Sequence, residues 1–534
     1  MKKLTPLIIA MVLGVNSVPV AAMAETATAF VSFTYGDNTY TRQMEKLDRG
    51  LVAVKTEDGV YLSWRLLGDE CSVSEIKNAP DFEVYRNGEK IATVTESTNY
   101  IDRTGTVEDR YSVAIVGKEK CDTVSVWNNN YIDIPMDIPE TFVDGETSYP
   151  YTVGEASCGD LDGDGQYELV VKWNANVNDN GIPGVTGNIY LDAYEFTGEK
   201  LWRIDLGRNI RSGLHYTQFL VYDFDLDGCA EITVKTAPGS IDGEGRYVSE
   251  ASLIDDIKNV DNTAVYVNDS GYILDGDEFF TVFEGKTGKA LDTIYYPNQR
   301  ISASVWGDDW GNRCDRFLAD VAYLDGEKPY AVYWRGYYGA SGGFKTRMGI
   351  FGARLDENKR LQCDYCFDTY DISTVSDYKG VYGYSDNIYK YTGQGNHNMT
   401  VADVDNDGKD EFISGSLCME INDDNKLMPK WCSYRGHGDA LHIGDYDPTH
   451  PGFEYFSVHE GGGYTDTYSG KELDYGMTVY DAATGEELFH KGASRDTGRG
   501  VMANIGSGGY YQISGSGNIT AYGNGVFKES SVGP

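Results

Sequence analysis

Apolar and polar residues alternate through short segments that are separated by glycine- and asparagine-containing turns, a pattern typical of β-strands. Residues 60–64, 82–85 and 110–115 each follow this alternation. Asn87-Gly88 stands between two of these segments and is a strong signal for a tight hairpin. Short strands at this spacing predict a β-sandwich of the fibronectin type III kind over residues 42–135.

A different repeat fills the rest of the chain. Residues 192–202, 282–291 and 479–489 each read as strand, Thr-Gly turn and strand, and periodicity of the helical kind is almost absent. Hairpins that recur with polar loops between them predict a β-propeller over residues 145–534. At ~40–50 residues per blade this length gives about eight blades. A stacked solenoid is the alternative, but its shorter period does not fit.

Acidic loops alternate with these hairpins. Residues 160–168 carry aspartates at alternating positions around a glycine, residues 223–231 and 403–411 repeat the pattern, and residues 445–454 are a looser copy. Oxygen-only ligands at this spacing suit Ca²⁺, so we expect several calcium ions. The predicted metal ligands are Asp160, Asp162, Asp164, Gln166, Glu168, Asp223, Asp225, Asp227, Glu231, Asp403, Asp405, Asp407, Lys409, Glu411, Asp445, Asp447 and Glu454.

Charge and the N-terminal segment narrow the functional class. There are 83 Asp and Glu against 45 Lys and Arg, a net charge of −38, which disfavours a nucleic-acid partner. Two lysines, an apolar run over residues 7–20 and Ala22-Met23-Ala24 are typical of a secretory signal peptide spanning residues 1–24. We therefore expect a secreted, extracellular monomer without a membrane anchor.

The histidines and several arginines are the candidate substrate-binding residues. Five of the seven histidines lie between His397 and His459, mostly beside glycine in loops. A guarded cluster of arginines in so acidic a chain would bind carboxylates, as on an acidic polysaccharide. The candidates are Arg211, His215, Arg335, His397, Arg435, His437, His459 and Glu460. Taken singly, each histidine could instead hydrogen-bond inside a blade, and each arginine could form a structural ion pair.

Many separated blocks of the chain are similar to one known family. They are residues 42–55, 62–67, 201–207, 215–218, 306–308, 311–313, 335–338, 393–397 and 436–440. From residue 42 onward the chain resembles the rhamnogalacturonan lyases of the eleventh polysaccharide lyase family.

The resemblance implies an eight-bladed propeller that binds several Ca²⁺ ions and the pectic polysaccharide rhamnogalacturonan I. It implies β-elimination at the bond between rhamnose and galacturonate, and places Arg499 on a catalytic arginine of the family. As our hypothesis we take cleavage within the polymer. The general base is unassigned, and the choice between cleavage inside the polymer and at its end is left open.

Two departures from the family pattern bear on activity. The family's catalytic lysine and tyrosine would lie beyond Pro534, and Asn504-Ile505-Gly506 stands where the family has an Asp-x-Asp metal loop. We therefore expect a C-terminally truncated catalytic propeller whose last blades are incomplete. The alternative is a calcium-dependent polysaccharide-binding propeller without activity, and a glycoside hydrolase is a third, weaker option.

Overall fold

A computed structural model describes most of the chain. The described residues are 28–35, 38–45, 47–70, 79–176, 179, 181–213, 215–339, 346–381, 384–385, 389–447, 449–466, 469–503, 511–515, 518–523 and 526–529. The predicted leader, 1–24, and the segment 504–506 lie outside them. Within the described part, no helix is both long and apolar enough to cross a membrane. Nearly all regular structure is β-strand, which confirms the all-β prediction.

Two strands form a separate hairpin, and seven more form the sandwich. The hairpin pairs β1 (Thr28–Tyr35) with β2 (Asn38–Glu45). The sandwich strands are β3 (Val52–Thr56), β4 (Gly59–Ser63), β5 (Phe82–Arg86), β6 (Glu89–Val94), β7 (Asn99–Asp102), β8 (Arg110–Ile115) and β9 (Val124–Trp127).

The sandwich has the strand order of a fibronectin type III domain. One layer has the order β3-β4-β7 and the other β6-β5-β8-β9, and a parallel pairing of β3 with β9 joins them. Alternate residues point inward, so that Trp64 packs edge-on against Phe82 with 5.5 Å between ring centroids. The sequence pattern predicts that the sandwich begins at Arg42. In the structure Arg42 belongs to strand β2, which pairs with β1 and not with the sandwich strands.

In the described residues, six antiparallel units of four strands follow, labelled sheets I to VI in chain order, and within each the strands pair in sequence order. Their strands are β12 (Thr152–Gly159), β13 (Glu168–Asn174), β14 (Tyr190–Tyr194) and β15 (Lys200–Asp205) in I; β16 (Phe219–Tyr222), β17 (Glu231–Thr236), β18 (Phe279–Phe283) and β19 (Ala290–Tyr295) in II; β20 (Phe317–Ala322), β21 (Tyr330–Arg335), β22 (Gly349–Leu355) and β23 (Leu361–Asp368) in III; β25 (Thr400–Ala402), β26 (Glu411–Ser414), β27 (Leu417–Ile421) and β28 (Leu427–Cys432) in IV; β29 (Leu441–Gly444), β30 (Glu454–His459), β33 (Tyr475–Asp481) and β34 (Glu487–Ala493) in V; and β35 (Gly500–Ala503), β36 (Tyr511–Gly515), β37 (Asn518–Gly523) and β38 (Val526–Glu529) in VI.

The remaining elements are short. The strands are β10 (Phe142–Asp144) and β11 (Thr147–Tyr149), which pair with each other between the sandwich and sheet I; β24 (Tyr384–Ser385), which adds to sheet III; and β31 (Tyr464–Thr465) and β32 (Glu472–Leu473), which pair with each other. An α-helix spans Asp255–Lys258, and 3₁₀ helices span Gly68–Glu70, Val248–Ala251, Ala303–Trp306, Ile372–Thr374 and Tyr389–Tyr391.

Consecutive sheets are arranged like propeller blades. The first strand of each sheet contacts the first strand of the next, from β12 through β16, β20, β25 and β29 to β35. A central cavity of about 510 Å³ lies among these inner strands, lined by Tyr222, Asp320, Val321 and Thr400, among others. The described residues hold six such sheets, and the count of eight blades stays a prediction.

The Thr-Gly hairpins lock one sheet to the previous one. Trp202 of sheet I donates its indole N–H to the Gly285 carbonyl of sheet II at 2.6 Å. Gly288 has φ +67°, and a Cβ added there would lie 2.8 Å from the Trp202 ring. Trp431 of sheet IV packs in the same way on Gly485 of sheet V. The repeated glycine therefore serves both the turn and the approach of a tryptophan from the neighbouring sheet.

The meanders create two opposite faces. The loops between the first and second strands of each sheet form one face, which we call the Asp face because it carries residues 160–167, 223–230, 403–410 and 445–453. The other face, called the His face, is formed by the loops between second and third strands and by the connections between sheets. Antiparallel pairing thus separates the acidic loops from the histidine-bearing connections by the length of a strand.

Strand β2 lies across the Asp face and contacts three sheets. Arg42 bonds both carboxylate oxygens of Asp410, at 2.8 and 3.2 Å, and also lines the central cavity. Further contacts run from Tyr40 to the Asn406 carbonyl, from Gln43 to Tyr323 and from Glu45 to Tyr167. This strand therefore ties sheets I, III and IV together from outside.

Candidate active site

Three histidines from three different connections meet on the His face. The ring of His397 stacks on that of His215, with 4.9 Å between centroids, and meets His437 edge to face at 4.8 Å. Tyr337 bonds Nδ1 of His397 at 3.1 Å, and Tyr338 packs against His437 at 4.1 Å. Residues 215, 397 and 437, far apart in sequence, thus form one cluster.

The chain around His437 is held by backbone contacts. Nδ1 of His437 lies 2.5 Å from the carbonyl oxygen of Gly395. A Cβ added to Gly438 would lie 1.9 Å from the Val458 carbonyl oxygen, so only glycine lets this connection run against β30. The direction of the His437 ring is therefore fixed before any ligand binds.

Asp439 links the histidines to the predicted catalytic arginine. Its carboxylate lies 3.4 Å from Nε2 of His397 and 3.7 Å from Nε2 of His437. Nη1 of Arg499 lies 2.5 Å from the other oxygen, although the Arg499 side chain is 80% exposed. On the second side of His437, Glu460 lies 3.4 Å from the same Nε2.

This cluster could hold a cation. The ligand atoms of His397, His437 and Asp439 all lie within 4.8 Å of one another. Nε2 of His437 is buried and makes no hydrogen bond of good geometry to any described residue. A buried imidazole nitrogen without a partner is costly unless something else binds it, so the donor set fits a metal ion.

Burial sets the charge of the cluster. Burial, and then the neighbouring His437 and His215, lower the pKa of His397 to about 3. Burial and the charge of Arg316 lower the pKa of His215 to about 4. Burial would raise the pKa of Asp439, but the neighbouring His437 and His397 and the charge of Arg499 hold it below its usual value. At neutral pH the imidazoles of His215 and His397 are therefore neutral and the Asp439 carboxylate is ionised.

Two more arginines flank the cluster. The guanidinium of Arg313 lies 4.0 Å from the centre of the Tyr338 ring, and that of Arg316 lies 5.0 Å from it. Arg316 pairs with Asp179 at 3.4 Å. Two guanidinium groups therefore lie beside Tyr338 next to His437, where they could bind an anionic ligand.

The acidic loops share one internal hydrogen-bond pattern on the Asp face. In each of the first three loops the first aspartate accepts two backbone N–H groups, and the closing glutamate accepts one; Asp223, for example, accepts from Asp227 and Gly228, and Glu231 from Phe224. The pattern leaves carboxylate oxygens directed at one point. The groups whose ligand atoms lie within 4.8 Å of one another are Asp160, Asp162 and Glu168; Asp223, Asp225, Asp227 and Glu231; and Asp403, Asp405 and Glu411.

Electrostatics are consistent with cation binding by these loops. Burial and the neighbouring carboxylates raise the pKa of Asp223 to about 7 and that of Glu411 to about 9. Lysines also approach the loops: Nζ of Lys359 lies 2.7 Å from Asp225, and Nζ of Lys430 lies 2.6 Å from Asp405. So much unbalanced negative charge is stable only with positive charge beside it.

The other predicted ligands contribute less. Asp164 and Asp407 belong to none of the carboxylate groups, and Gln166 and Lys409 stand where such a loop offers a backbone carbonyl. In the fourth loop Glu454 accepts from Tyr446 and Asp447 at 2.6 and 2.9 Å, but Asp445, Asp447 and Glu454 form no such group among the described residues. The looser spacing there does not bring the three carboxylates together.

Comparison with known proteins decides the family. Rhamnogalacturonan lyase family 11, C-terminal domain, matches residues 131–517, and the β-sheet domain of rhamnogalacturonan I lyases matches residues 42–127. The chain belongs to the family 11 rhamnogalacturonan lyases. Family membership confirms the resemblance inferred from the sequence blocks.

Relatives of this family 11 chain include two Bacillus subtilis (strain 168) proteins. The rhamnogalacturonan endolyase YesW is 44% identical over 472 residues, 87% of this chain and 68% of that protein. The rhamnogalacturonan exolyase YesX is 43% identical over 473 residues, 87% of this chain and 69% of that protein. The crystal structure of YesW has a TM-score of 0.75 at 41% identity, covering 92% of this chain and 76% of that one. The exotype YesX structure has a TM-score of 0.73 at 41% identity, covering 89% and 71%.

Four of the side chains predicted to bind substrate are buried in the family 11 chain. Arg335 is fully buried and pairs with Glu278 at 2.7 Å, and Arg435 pairs with Asp474 and Glu487. His459 is fully buried against Thr478. Arg211 bonds Tyr216 and the carbonyls of residues 182 and 184. These contacts correct the predicted substrate role of all four to a structural one.

The remaining predicted site residues do come together in this lyase. His215, His397, His437, Glu460 and Arg499 lie on the His face around Asp439. The sequence reasoning missed Asp439 itself and Tyr338 as site residues. The signal was present in the block 436–440, where Asp439 follows His437 by two residues with a glycine between them.

Proposed function

We propose that this family 11 lyase is a secreted enzyme that cleaves the rhamnose–galacturonate bond of rhamnogalacturonan I by Ca²⁺-assisted β-elimination within the polymer. The observation that carries the proposal is the cluster on the His face, where His397, His437 and Asp439 lie beside the exposed Arg499. It combines candidate cation ligands, imidazoles and arginine at one open surface. The leader-like segment 1–24 supports secretion, as does a substrate that is a plant cell-wall polymer.

The chemistry explains why such a cluster is needed. A base removes the proton at C5 of galacturonate, the electron pair forms a C4–C5 double bond, and the C4–O bond breaks. The glycosidic oxygen leaves with rhamnose and takes up a proton. The C5 proton is poorly acidic while the neighbouring carboxylate keeps its full negative charge, so positive groups must stabilise the charge that develops.

The chain's own residues supply part of that charge. Arg499 is held by Asp439 yet remains exposed, so its other donors can bind a galacturonate carboxylate. Arg313 and Arg316 add to the positive potential beside Tyr338. A cation bound by His397, His437 and Asp439, with Glu460 close by, would act as a Lewis acid on that carboxylate. On the Asp face, the oxygen-only groups suit Ca²⁺ with a role in stability.

Incubation of the chain with rhamnogalacturonan I tests the proposal. We expect absorbance of the unsaturated uronate to rise, to be lost after EDTA treatment and to return with Ca²⁺. Products that carry no double bond would identify a hydrolase instead. Calcium-dependent retention on the polysaccharide without product would identify a binding propeller.

The same reaction distinguishes the cleavage mode. Cleavage within the polymer reduces viscosity early and gives a broad range of fragment lengths, whereas cleavage at an end releases one short product from the start. The 80% exposure of Arg499 favours the first result, because an open face admits the middle of a long chain. Sequencing the N-terminus of the exported protein tests cleavage after Ala24.

A further inference from the structure

A tight turn beside the histidine cluster has a rigid backbone. The carboxylate of Asp308 accepts three backbone N–H groups, from Trp310 at 3.1 Å, Asn312 at 3.2 Å and Arg313 at 2.7 Å. Gly311 has φ +81° at the reversal. Asn312 accepts a bond from Arg316 at 3.0 Å, which ties the turn to the floor of the site. The two large side chains of this 308–313 turn are therefore presented on a fixed frame.

Among the described residues, no carboxylate lies within ion-pair distance of Arg313, although Asp308 and Glu460 act on it from farther away. By contrast, Arg316, Arg435 and Arg499 on the same face each form an ion pair. The Arg313 guanidinium lies 4.0 Å above Tyr338, whose ring is 4.1 Å from that of His437. In a chain with 83 acidic residues, a half-buried arginine that lies over a tyrosine and has no ion pair with a described carboxylate is available for a carboxylate ligand.

Trp310 carries an indole ring that is open to solvent. It is 45% exposed, and no aromatic ring or cation in the described part of the chain packs against it. By contrast, Trp306, four residues earlier, is fully buried and donates its N–H to the Arg300 carbonyl. An exposed indole on a rigid turn is a flat apolar surface of the kind that binds the apolar face of a sugar ring.

We infer that the 308–313 turn recognises a pair of neighbouring sugars, one acidic and one deoxy. Arg313 binds the carboxylate of a galacturonate, and Trp310 stacks on the adjacent rhamnose, whose missing hydroxyl leaves it more apolar. The Cα atoms of the two residues are at most about 11 Å apart, a span that neighbouring units of a polysaccharide can bridge. The inference rests on the proposed function for its substrate class, and it makes the turn a determinant of specificity.

The 308–313 turn would recognise the alternation of galacturonate and rhamnose along the polymer. A chain made of galacturonate alone offers a carboxylate to Arg313 but a second charged sugar to Trp310. We therefore expect the turn to favour rhamnogalacturonan over homogalacturonan, and to do so through the tryptophan.

The experiment measures binding and turnover for two variants and two controls. Trp310→Ala and Arg313→Gln are compared with Trp127→Ala, which removes a similarly exposed tryptophan (38%) from the sandwich, and with Arg110→Gln on strand β8. Isothermal titration with rhamnogalacturonan and homogalacturonan oligosaccharides gives affinity without turnover. Initial rates on the polymer give KM and kcat, and thermal melting reports whether each variant is folded.

We expect Trp310→Ala to weaken binding of rhamnogalacturonan oligosaccharides by about tenfold and to leave homogalacturonan binding unchanged. Arg313→Gln should weaken both by about tenfold or more, because a charge-assisted bond is lost. KM should rise while kcat stays within about twofold for Trp310→Ala, since a sugar held away from the reacting bond contributes uniform binding. The two controls should match the wild type.

Several results would overturn the inference. They are a Trp310→Ala variant that binds like Trp127→Ala, one that loses both oligosaccharides equally, and wild-type protein that binds neither. If the wild type bound the oligosaccharides but formed no unsaturated product, the proposed function would fail; selective weakening by Trp310→Ala would then still support the turn's role.

Discussion

The Asp face and the His face are built from the same sheets, yet they depend on the sequence in different ways. Each cation group on the Asp face comes from one loop of nine residues, such as 223–231, and its hydrogen bonds close within that loop. The cluster on the His face takes one residue each from connections at 215, 397, 437 and 499. Local chemistry thus supports the scaffold, while the site depends on the whole topology.

If this division is right, the largest effect belongs to Asp439 on the His face. Asp439→Asn keeps the shape but removes the charge that holds Arg499 and faces His397 and His437. We expect lyase turnover to fall by about a thousandfold, because the site loses preorganised charge. The unfolding temperature should change little. Asp424→Asn, in the exposed turn of sheet IV, is the matched control, and a stability loss in Asp439→Asn without a rate loss would contradict the division.

The Asp face should show the reverse behaviour. Saturating Ca²⁺ at about a hundred times its dissociation constant should stabilise the protein by about 3 kcal/mol per occupied loop. Glu411→Gln should remove the stabilisation that Ca²⁺ provides at the third loop, residues 403–411, because Glu411 is buried and completes the carboxylate group of that loop. The measurement is the urea midpoint with Ca²⁺ and with EDTA, and kcat should stay within about twofold. A large fall in kcat together with an unchanged stabilisation by Ca²⁺ would contradict the prediction, because it would show that the Asp face contributes to activity.

On the His face, the free energy of unfolding should depend on pH through His215. The folded pKa of His215 is about 4 against an ordinary value of 6.5, because burial penalises the charged form. Above about pH 6.5 His215 carries no proton in either the folded or the unfolded chain, so its burial does not reduce the free energy of unfolding. As pH falls toward 4 the unfolded chain is protonated first, so the free energy of unfolding decreases.

The change between pH 7 and pH 5 should be about 2 kcal/mol for this residue. His215→Gln should lack this pH-dependent change in the free energy of unfolding. The measured quantity is the difference between variant and wild type in that change. Denaturant titrations in EDTA at the two pH values supply it and remove the contribution of bound cations. Parallel pH curves for the two proteins would show that His215 does not titrate in this way.

The smallest effect concerns strand β2 on the Asp face. Arg42→Ala removes a two-bond pair with Asp410 that is mostly sheltered from solvent. We expect the free energy of unfolding to fall by about 1 kcal/mol, with faster proteolysis near residues 28–45 and no change in activity. Arg110→Ala on the sandwich serves as the control. Loss of activity would mean that the two faces are coupled.

The sequence could predict those features that depend on residues close together along the chain. Alternation and the Thr-Gly turns depend on neighbours along the chain, so the strands, the sandwich and the repeated sheets could be predicted. The tryptophan contacts on Gly288 and Gly485 could not, since they join different sheets. Likewise, the aspartate spacing of residues 160–168 predicts carboxylates that converge, whereas the looser spacing of residues 445–454 gives no such group among the described residues.

The site was predicted less well because residue type does not show direction. Arg335 was a plausible carboxylate ligand until the structure placed Glu278, 57 residues earlier, against it in the interior. Arg313 has the same chemistry but faces Tyr338 and has no ion pair with a described carboxylate. Asp439 is ordinary among 83 acidic residues until the topology surrounds it with two histidines and an arginine.

Strand β2 also constrains the order in which the chain can fold. Its bonds to Asp410 and Asn406 join residues that are 366 to 368 positions apart. The loop-closure entropy of such a contact has to be overcome before the contact contributes anything, and a two-stranded hairpin is barely stable alone. During synthesis β2 has to wait until sheet IV has left the ribosome. The hairpin that opens the described part of the chain is therefore among the last elements to become stable.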